Sequence, residues 1–139
     1  MSSCIFCEIG NKRSPVAFVY EDEQVFGIMS LDQPNPYKVL IIPHAHVETV
    51  YDLSEAQAAH IFQATVKIAR AVRAASGCKG LNLIQSNGRV AGQDVFHFHL
   101  HIVPRFAGDD IILKWQAVQK DRNELNRMAN EIRSEIELS

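Results

Sequence analysis

The sequence predicts an α+β fold: a five-stranded, mainly antiparallel sheet with one long helix packed on it, followed by an amphipathic helix near the C-terminal end. Three observations point there. Short runs rich in β-branched and aromatic residues are separated by polar turns; residues 54–76 repeat apolar side chains at helical spacing; and within the stretch 95–105, residues 96–102 alternate strictly between apolar and histidine side chains.

The chain of 139 residues is expected to form one domain, spanning 1–139, with a core over about 4–105 and a helical extension over about 111–139. Its 14 basic and 16 acidic residues leave a formal charge of −2, too weak a field to hold extended nucleic acid. No apolar run nears the ~18 residues of a membrane span, and no basic-then-apolar leader opens the chain, so a cytoplasmic protein without a membrane partner is expected. Three cysteines, an odd number, argue against a disulfide framework.

Cys4 and Cys7 form a Cys-x-x-Cys pair. Half of a zinc site, a redox motif and two unrelated thiols are the available readings. A redox motif wants a strand before it, and too little chain precedes Cys4. Zinc needs two further ligands, and His44, His46 and His97 are candidates. Cys78 has no motif partner and reads as packing.

Residues 17–20 and 25–29 read as strands joined by the polar turn 21–24, a hairpin by its chemistry. Pro34 and Pro36 stiffen the loop that leads to a third strand at 38–42. Ser54 with Gln57 forms a capping box, and Gly77 closes the helix between them. Ala58, Ile61, Phe62, Thr65, Ile68, Ala69 and Val72 make the stripe that packs on the sheet. His60 lies off that stripe and reads as surface.

A strand at 81–85 leads into residues 86–94, where Gly88 and Gly92 let backbone N–H groups approach an anion. In the strand that follows, His97, His99 and His101 line one face while Phe96, Phe98, Leu100 and Ile102 line the other, up to Pro104, which cannot donate to a ladder. Such a row of imidazoles could simply tolerate an exposed face. It could bind a metal, although at about 3.3 Å per residue His97 and His101 stand too far apart to share one ion. It could also be a nucleophile flanked by groups that handle substrate and protons, downstream of a phosphate cradle.

The run Gly92-Gln93-x-x-Phe96-His97-Phe98-His99-Leu100-His101-Ile102-Val103-Pro104-Arg105 resembles the signature of the histidine triad (HIT) proteins. The resemblance covers about 4–105 and is strongest to the small bacterial Hint-like members. It implies a nucleotide hydrolase or nucleotidyl transferase acting at the α-phosphorus of nucleoside 5′-phosphoramidates or dinucleoside polyphosphates. A purine nucleotide substrate, a homodimer and no organic cofactor go with it. It further implies that His99 attacks through Nε2, with its Nδ1–H held by the carbonyl of His97, and that His101 protonates the leaving group. Gln93 and the N–H groups of Gly92–Asp94 would stabilise charge on phosphorus. Phe6, Ile9 and Ile28 would lie against the nucleobase, with Ser86 and Asn87 near the phosphate. Cys4, Cys7, His46 and His97 would enclose a structural zinc.

The pattern also departs from that family. Ser30 stands where many members carry an aspartate on the ribose hydroxyls, Lys38 where many carry a histidine near the leaving group, and Ser86 where an asparagine is usual. A non-catalytic nucleotide-binding regulatory module is the competing reading; a catalytic zinc at His99 and His101 is another. Beyond Arg105 the resemblance fades. Leu125, Met128, Ala129, Ile132 and Ile136 mark an amphipathic helix at 121–138, preceded by apolar Ile111, Ile112, Leu113 and Trp115. This segment is expected either to fold back on its own subunit or to cross a dimer.

Overall fold

In the computed structural model, which describes residues 4–139, the polar turn at 21–24 does what its chemistry predicts. Asp22 Oδ1 accepts from the N–H groups of Gln24 and Val25 at 2.8 and 2.9 Å, which closes a hairpin between β1 (Phe18–Glu21) and β2 (Val25–Met29). β2 pairs with β3 (Val39–Pro43), placing Ile28 opposite Leu40 and Phe26 opposite Ile42. β3 then pairs with β5 (Leu100–Arg105), and β5 with β4 (Gly80–Ile84). The sheet has five strands in the order β1-β2-β3-β5-β4, every neighbouring pair antiparallel.

Both faces of the central strands are covered, which is why β2 and β3 read as continuous apolar runs rather than alternating ones. On one face lies α2 (Glu55–Ser76), opened by the reciprocal Ser54–Gln57 capping box and closed by Gly77 at φ 69°. Its Ile61, Ala64, Ile68 and Val72 meet Val25, Val39, Ile41, Phe98, Leu100 and Ile102. The helix approaches β2 closely at Gly27, where a Cβ would stand 3.2 Å from both Ile68 Cδ1 and Val19 Cγ2. On the other face α1 (Ile5–Gly10) lays Phe6 and Ile9 over Phe26, Ile28, Leu40 and Ile42. Each fully buried side chain among these contributes roughly 1.5–3 kcal/mol, so the two-sided burial of β2, β3 and β5 is the main source of stability.

Several expectations are corrected. The histidine strand begins at Leu100 rather than at residue 95. Upstream of it the Phe98 N–H donates to the carbonyl of Val47 at 2.6 Å instead of joining the ladder, so His97 and His99 sit in an irregular lead-in. Phe62, placed on the buried stripe, is 55% exposed, and Ala64 occupies the core position instead. His60 is not a bare surface residue: its Nε2 stands 2.8 Å from Asp22 Oδ2. α1 had no periodic signal, because a helix of six residues offers only Phe6 and Ile9 to the core.

The C-terminal segment does not fold back on its own subunit among the described residues. α3 (Arg122–Leu138), capped by Asp121 Oδ1 on the Glu124 N–H at 2.9 Å, buries none of its residues. Trp115 before it is 84% exposed. No helix is long and apolar enough to cross a membrane.

Candidate active site and metal centre

The site is built on the α1 face of the sheet. Cys4 caps α1 and Cys7 follows one turn later, so both thiols emerge at the same end of the helix. His46 lies just past the end of β3 and His97 in the lead-in to β5, and the two converge on those thiols. Cys4 Sγ lies 3.3 Å from His97 Nδ1, Cys7 Sγ 3.3 Å from His46 Nδ1 and 3.6 Å from His97 Nδ1, and the two Nδ1 atoms are 3.2 Å apart. All four ligand atoms fall within 4.8 Å of one another. A tetrahedral zinc with bonds of about 2.0–2.1 Å to nitrogen and 2.3 Å to sulfur would hold its ligands about 3.3–3.8 Å apart, so the donor set fits that ion.

The tautomer fits as well. His97 is fully buried, and its Nε2 lies 2.8 Å from the carbonyl of Pro43. A carbonyl only accepts, so Nε2 carries the proton and Nδ1 presents its lone pair to the cluster. Burial, then the Cys4 thiol and Glu8, push the Cys7 thiol up to about 11, so thiolate at this position calls for a cation. A cavity of about 440 Å³ lined by Cys4, Glu8, His46, Glu48, Asp94 and Phe96 opens beside the cluster. His44 is excluded from it: its ring packs on Phe26, and its Nε2 lies 3.6 Å from Glu21.

The main chain of His97 serves a second residue. Its carbonyl lies 2.8 Å from His99 Nδ1, which fixes the proton there and leaves Nε2 with a free lone pair. The His99 ring is buried between Phe6, whose ring meets it edge-on at 4.9 Å, and His101, also at 4.9 Å. His101 stands opposite Leu40 on β3 and Ile84 on β4. Burial first, then the charges of Lys38 and His99, push His101 down to about 4, with Asp94 partly opposing. It is therefore a neutral imidazole at pH 7.

Register places Lys38 on the same face, next in its row to Leu40. Gln33 holds its backbone from both sides, accepting from the Lys38 N–H at 3.0 Å and donating to its carbonyl at 2.8 Å. Ser30 continues the row of Phe26 and Ile28, and its N–H donates to the Lys38 carbonyl at 3.1 Å. Phe6, Ile9 and Ile28 form an apolar floor with Leu40.

The glycine loop is more self-occupied than its composition suggests. Gly88 and Gly92 both take positive φ, 92° and 94°. The N–H of Gly92 donates to Arg89 and that of Gln93 to Gly88. The buried Gln93 amide donates to the carbonyls of Glu48 and Val95 at 2.7 and 3.1 Å and accepts from the Gly88 N–H at 2.8 Å. Gln93 thus sets the loop's shape with groups expected to face a phosphate. Asn87 is likewise tied to Gln85 and to the Val50 N–H; Ser86 beside it is half-buried. Three participants escaped sequence reasoning. The carbonyls of Pro43 and Glu48 leave no trace in residue type. Gln33 acts through turn geometry alone.

A five-stranded antiparallel sheet that carries a buried, main-chain-oriented imidazole beside a Cys/His cluster defines a histidine triad protein. A model of the HIT domain matches residues 11–108, and the chain belongs to this family. It is 42% identical to Protein hit of Bacillus subtilis over 120 residues, 86% of this chain and 83% of that one. The adenosine 5′-monophosphoramidase hnt1 of Schizosaccharomyces pombe is 28% identical over 135 residues, 96% of this chain and 98% of that one. Among solved structures, SMU.412c from Streptococcus mutans UA159 aligns with a TM-score of 0.94 at 39% identity, covering 98% of this chain and 87% of that one. A Zn-bound histidine triad family protein from Mycobacterium smegmatis aligns with a TM-score of 0.75 at 32% identity, covering 97% and 96%.

Proposed function

We propose that this protein is a nucleotide hydrolase or nucleotidyl transferase that cleaves nucleoside 5′-phosphoramidates or dinucleoside polyphosphates at the α-phosphorus, through a nucleotidyl intermediate on His99. One observation supports the reading: the contact between His99 Nδ1 and the His97 carbonyl at 2.8 Å, which leaves on Nε2 the lone pair that a nucleophile needs. The Nε2 lone pair attacks phosphorus as the bond to the leaving group breaks; a departing amine takes up a proton relayed from solvent through His101, whereas a departing phosphate leaves as the anion. Water then adds to phosphorus, the P–N bond to His99 breaks with its electron pair returning to Nε2, and the water's proton passes to solvent. The floor of Phe6, Ile9 and Ile28 accepts a purine, Ser30 lies toward the ribose, and Lys38 faces the phosphate end. Ser86, Asn87, Gly92, Gln93 and Asp94 shape the loop around the phosphate. No organic cofactor takes part in these steps.

Cys4, Cys7, His46 and His97 would hold a structural zinc, which ties α1 and its apolar floor to the nucleophile's lead-in. The exposed apolar residues of 112–118 and α3 suit a homodimer with a second copy, as an extension appended to one cytoplasmic HIT domain. The test is release of AMP from adenosine 5′-phosphoramidate and from diadenosine polyphosphates by wild type and His99→Ala. The variant should lose release while binding the nucleotide within a few-fold, because a nucleophile contributes to the transition state and little to the ground state. Wild-type turnover in His99→Ala would reject the covalent route.

A further inference from the structure

Cys4 and Cys7 are placed to react with each other as well as to hold a metal. Cys4 stands at the N-cap of α1 with extended backbone, φ −106° and ψ 120°, and Cys7 follows in the first turn, where the Glu8 N–H donates to the Cys4 carbonyl at 3.0 Å. Residues three apart in such a turn have Cα atoms within about 7 Å, and a disulfide spans roughly 4.4–6.8 Å. Both sulfurs approach the same atom, His97 Nδ1, at 3.3 and 3.6 Å, and they lie within 4.8 Å of one another. Because Cys4 is outside the helix proper, its side chain can turn toward Cys7 without unwinding α1. The third cysteine, Cys78, is buried just past the end of α2, away from this cluster.

The pair can be reached from solvent. Cys4 lines the cavity of about 440 Å³ beside the cluster, together with His46, Glu8, Glu48 and Asp94. Three carboxylates disfavour an anionic oxidant there, whereas a hydroperoxide is small and uncharged. The electron pair of the Cys4 sulfur attacks a peroxide oxygen, the O–O bond breaks, and the departing hydroxide takes up a proton and leaves as water, giving a sulfenic acid. The Cys7 sulfur then attacks that of Cys4: the S–S bond forms, the S–O bond breaks, and a second hydroxide takes up a proton and leaves as water. The two sulfurs lose two electrons in all, and the peroxide oxygens gain them. A disulfide sulfur is no longer a thiolate ligand, so two of the four donors are withdrawn from the metal.

We infer that Cys4 and Cys7 are an oxidation site, at which a hydroperoxide forms a disulfide, releases the zinc and unfastens α1 from the sheet. This rests on the reading of the cluster as a zinc site and goes beyond it by giving the cysteine pair a reversible chemistry of its own. α1 has six residues and buries only Phe6 and Ile9. The metal cross-links it to His46, just past β3, and to His97, in the lead-in to β5. Phe6 meets the ring of His97 at 5.9 Å and that of His99 at 4.9 Å, so loosening α1 alters the surroundings of the candidate nucleophile.

The test treats the reduced, zinc-loaded protein with hydrogen peroxide and follows free thiols, released zinc, disulfide mapping and the thermal midpoint together. Two of the three thiols should disappear as about one zinc per subunit is released. The product should be lighter by two hydrogens, with Cys4 joined to Cys7 and Cys78 still reduced. Its midpoint should fall, and should return on addition of a thiol reductant with zinc, a recovery that oxidation to sulfinic acid does not allow. Three outcomes overturn the proposal while leaving the zinc reading in place: zinc and thiols that survive a peroxide treatment sufficient to oxidise a free dithiol, oxidation confined to Cys78 or to links between subunits, or zinc release with an unchanged midpoint. A protein that takes up no zinc under reducing conditions overturns that reading and the proposal with it.

Discussion

The carbonyl oxygen of His97 lies 2.8 Å from Nδ1 of His99, while the ring of the same His97 bridges the Pro43 carbonyl at 2.8 Å and Cys4 Sγ at 3.3 Å. One residue thus links the Cys/His cluster to the orientation of the candidate nucleophile. Protein purified under reducing, metal-replete conditions is expected to carry about one zinc per subunit, because the four donors match that ion's geometry. Cys7→Ser should lose the metal and lower the thermal midpoint. Chelation should reduce stability before it reduces turnover. Metal analysis combined with thermal melts checks this, and turnover lost in proportion to metal with the fold intact would instead make the ion catalytic.

Gln93 tests the glycine loop. Its amide satisfies the Glu48 and Val95 carbonyls and the Gly88 N–H from a buried position. Gln93→Ala should cost about 1–3 kcal/mol, the usual penalty for stranding buried partners. Gln93→Glu should be no better, because an acceptor-only oxygen then faces two carbonyls. Denaturant midpoints for both variants give the comparison. Equality with wild type would mean that water replaces the amide without loss.

Acid sensitivity should trace in part to His101. Its folded value of about 4 lies below the ordinary 6.5, so on acidification the unfolded chain takes up the proton first. The contribution of the neutral ring is fully present above about 6.5 and is lost as pH falls toward 4. Burial drives His97 in the same direction, so His101→Gln should flatten the slope of unfolding free energy against pH in this window without abolishing it. Urea titrations at several pH values measure the slope, and an unchanged slope would place His101 in a more solvated setting.

How much of this could be read in advance depends on how local the cause is. The long helix was legible to the residue at its ends, since Ser54, Gln57 and Gly77 act within a few positions of themselves. Strand existence was legible from β-branched content, and the shared face of His99 and His101 from alternation. The exit of His97 from the ladder was not, because Val47 and Pro43 capture that segment through main-chain carbonyls. The pairing of Asp22 with His60 spans 38 positions. Burial opposes the Asp22 charge, yet hydrogen bonds from Val25, Gln24, Tyr20 and His60 hold its carboxyl well below the usual range. Phe62 misled for a different reason: a helix lying on a sheet buries a narrower stripe than its apolar content suggests.

The ribose should matter little to this protein. Ser30 lies on the face of Ile28 and Lys38, but it carries no charge, and its hydroxyl already accepts from the Asp32 N–H at 3.3 Å. A carboxylate bonded to ribose hydroxyls would make charge-assisted contacts of about 1.5–3 kcal/mol. A serine recovers only part of that, and the shortfall of roughly 1.4 kcal/mol is one factor of about ten in discrimination. Matched ribo and deoxyribo phosphoramidates should therefore be cleaved with kcat/KM values within about tenfold of one another. Ser30→Asp should widen the gap in favour of ribose. The same substitution places a carboxylate near Lys38, so its effect is read as the ribo-to-deoxyribo ratio, in which any general change in phosphate binding cancels. Strong ribose selection by the wild type, or a ratio that Ser30→Asp leaves unmoved, would show that position 30 does not meet the sugar.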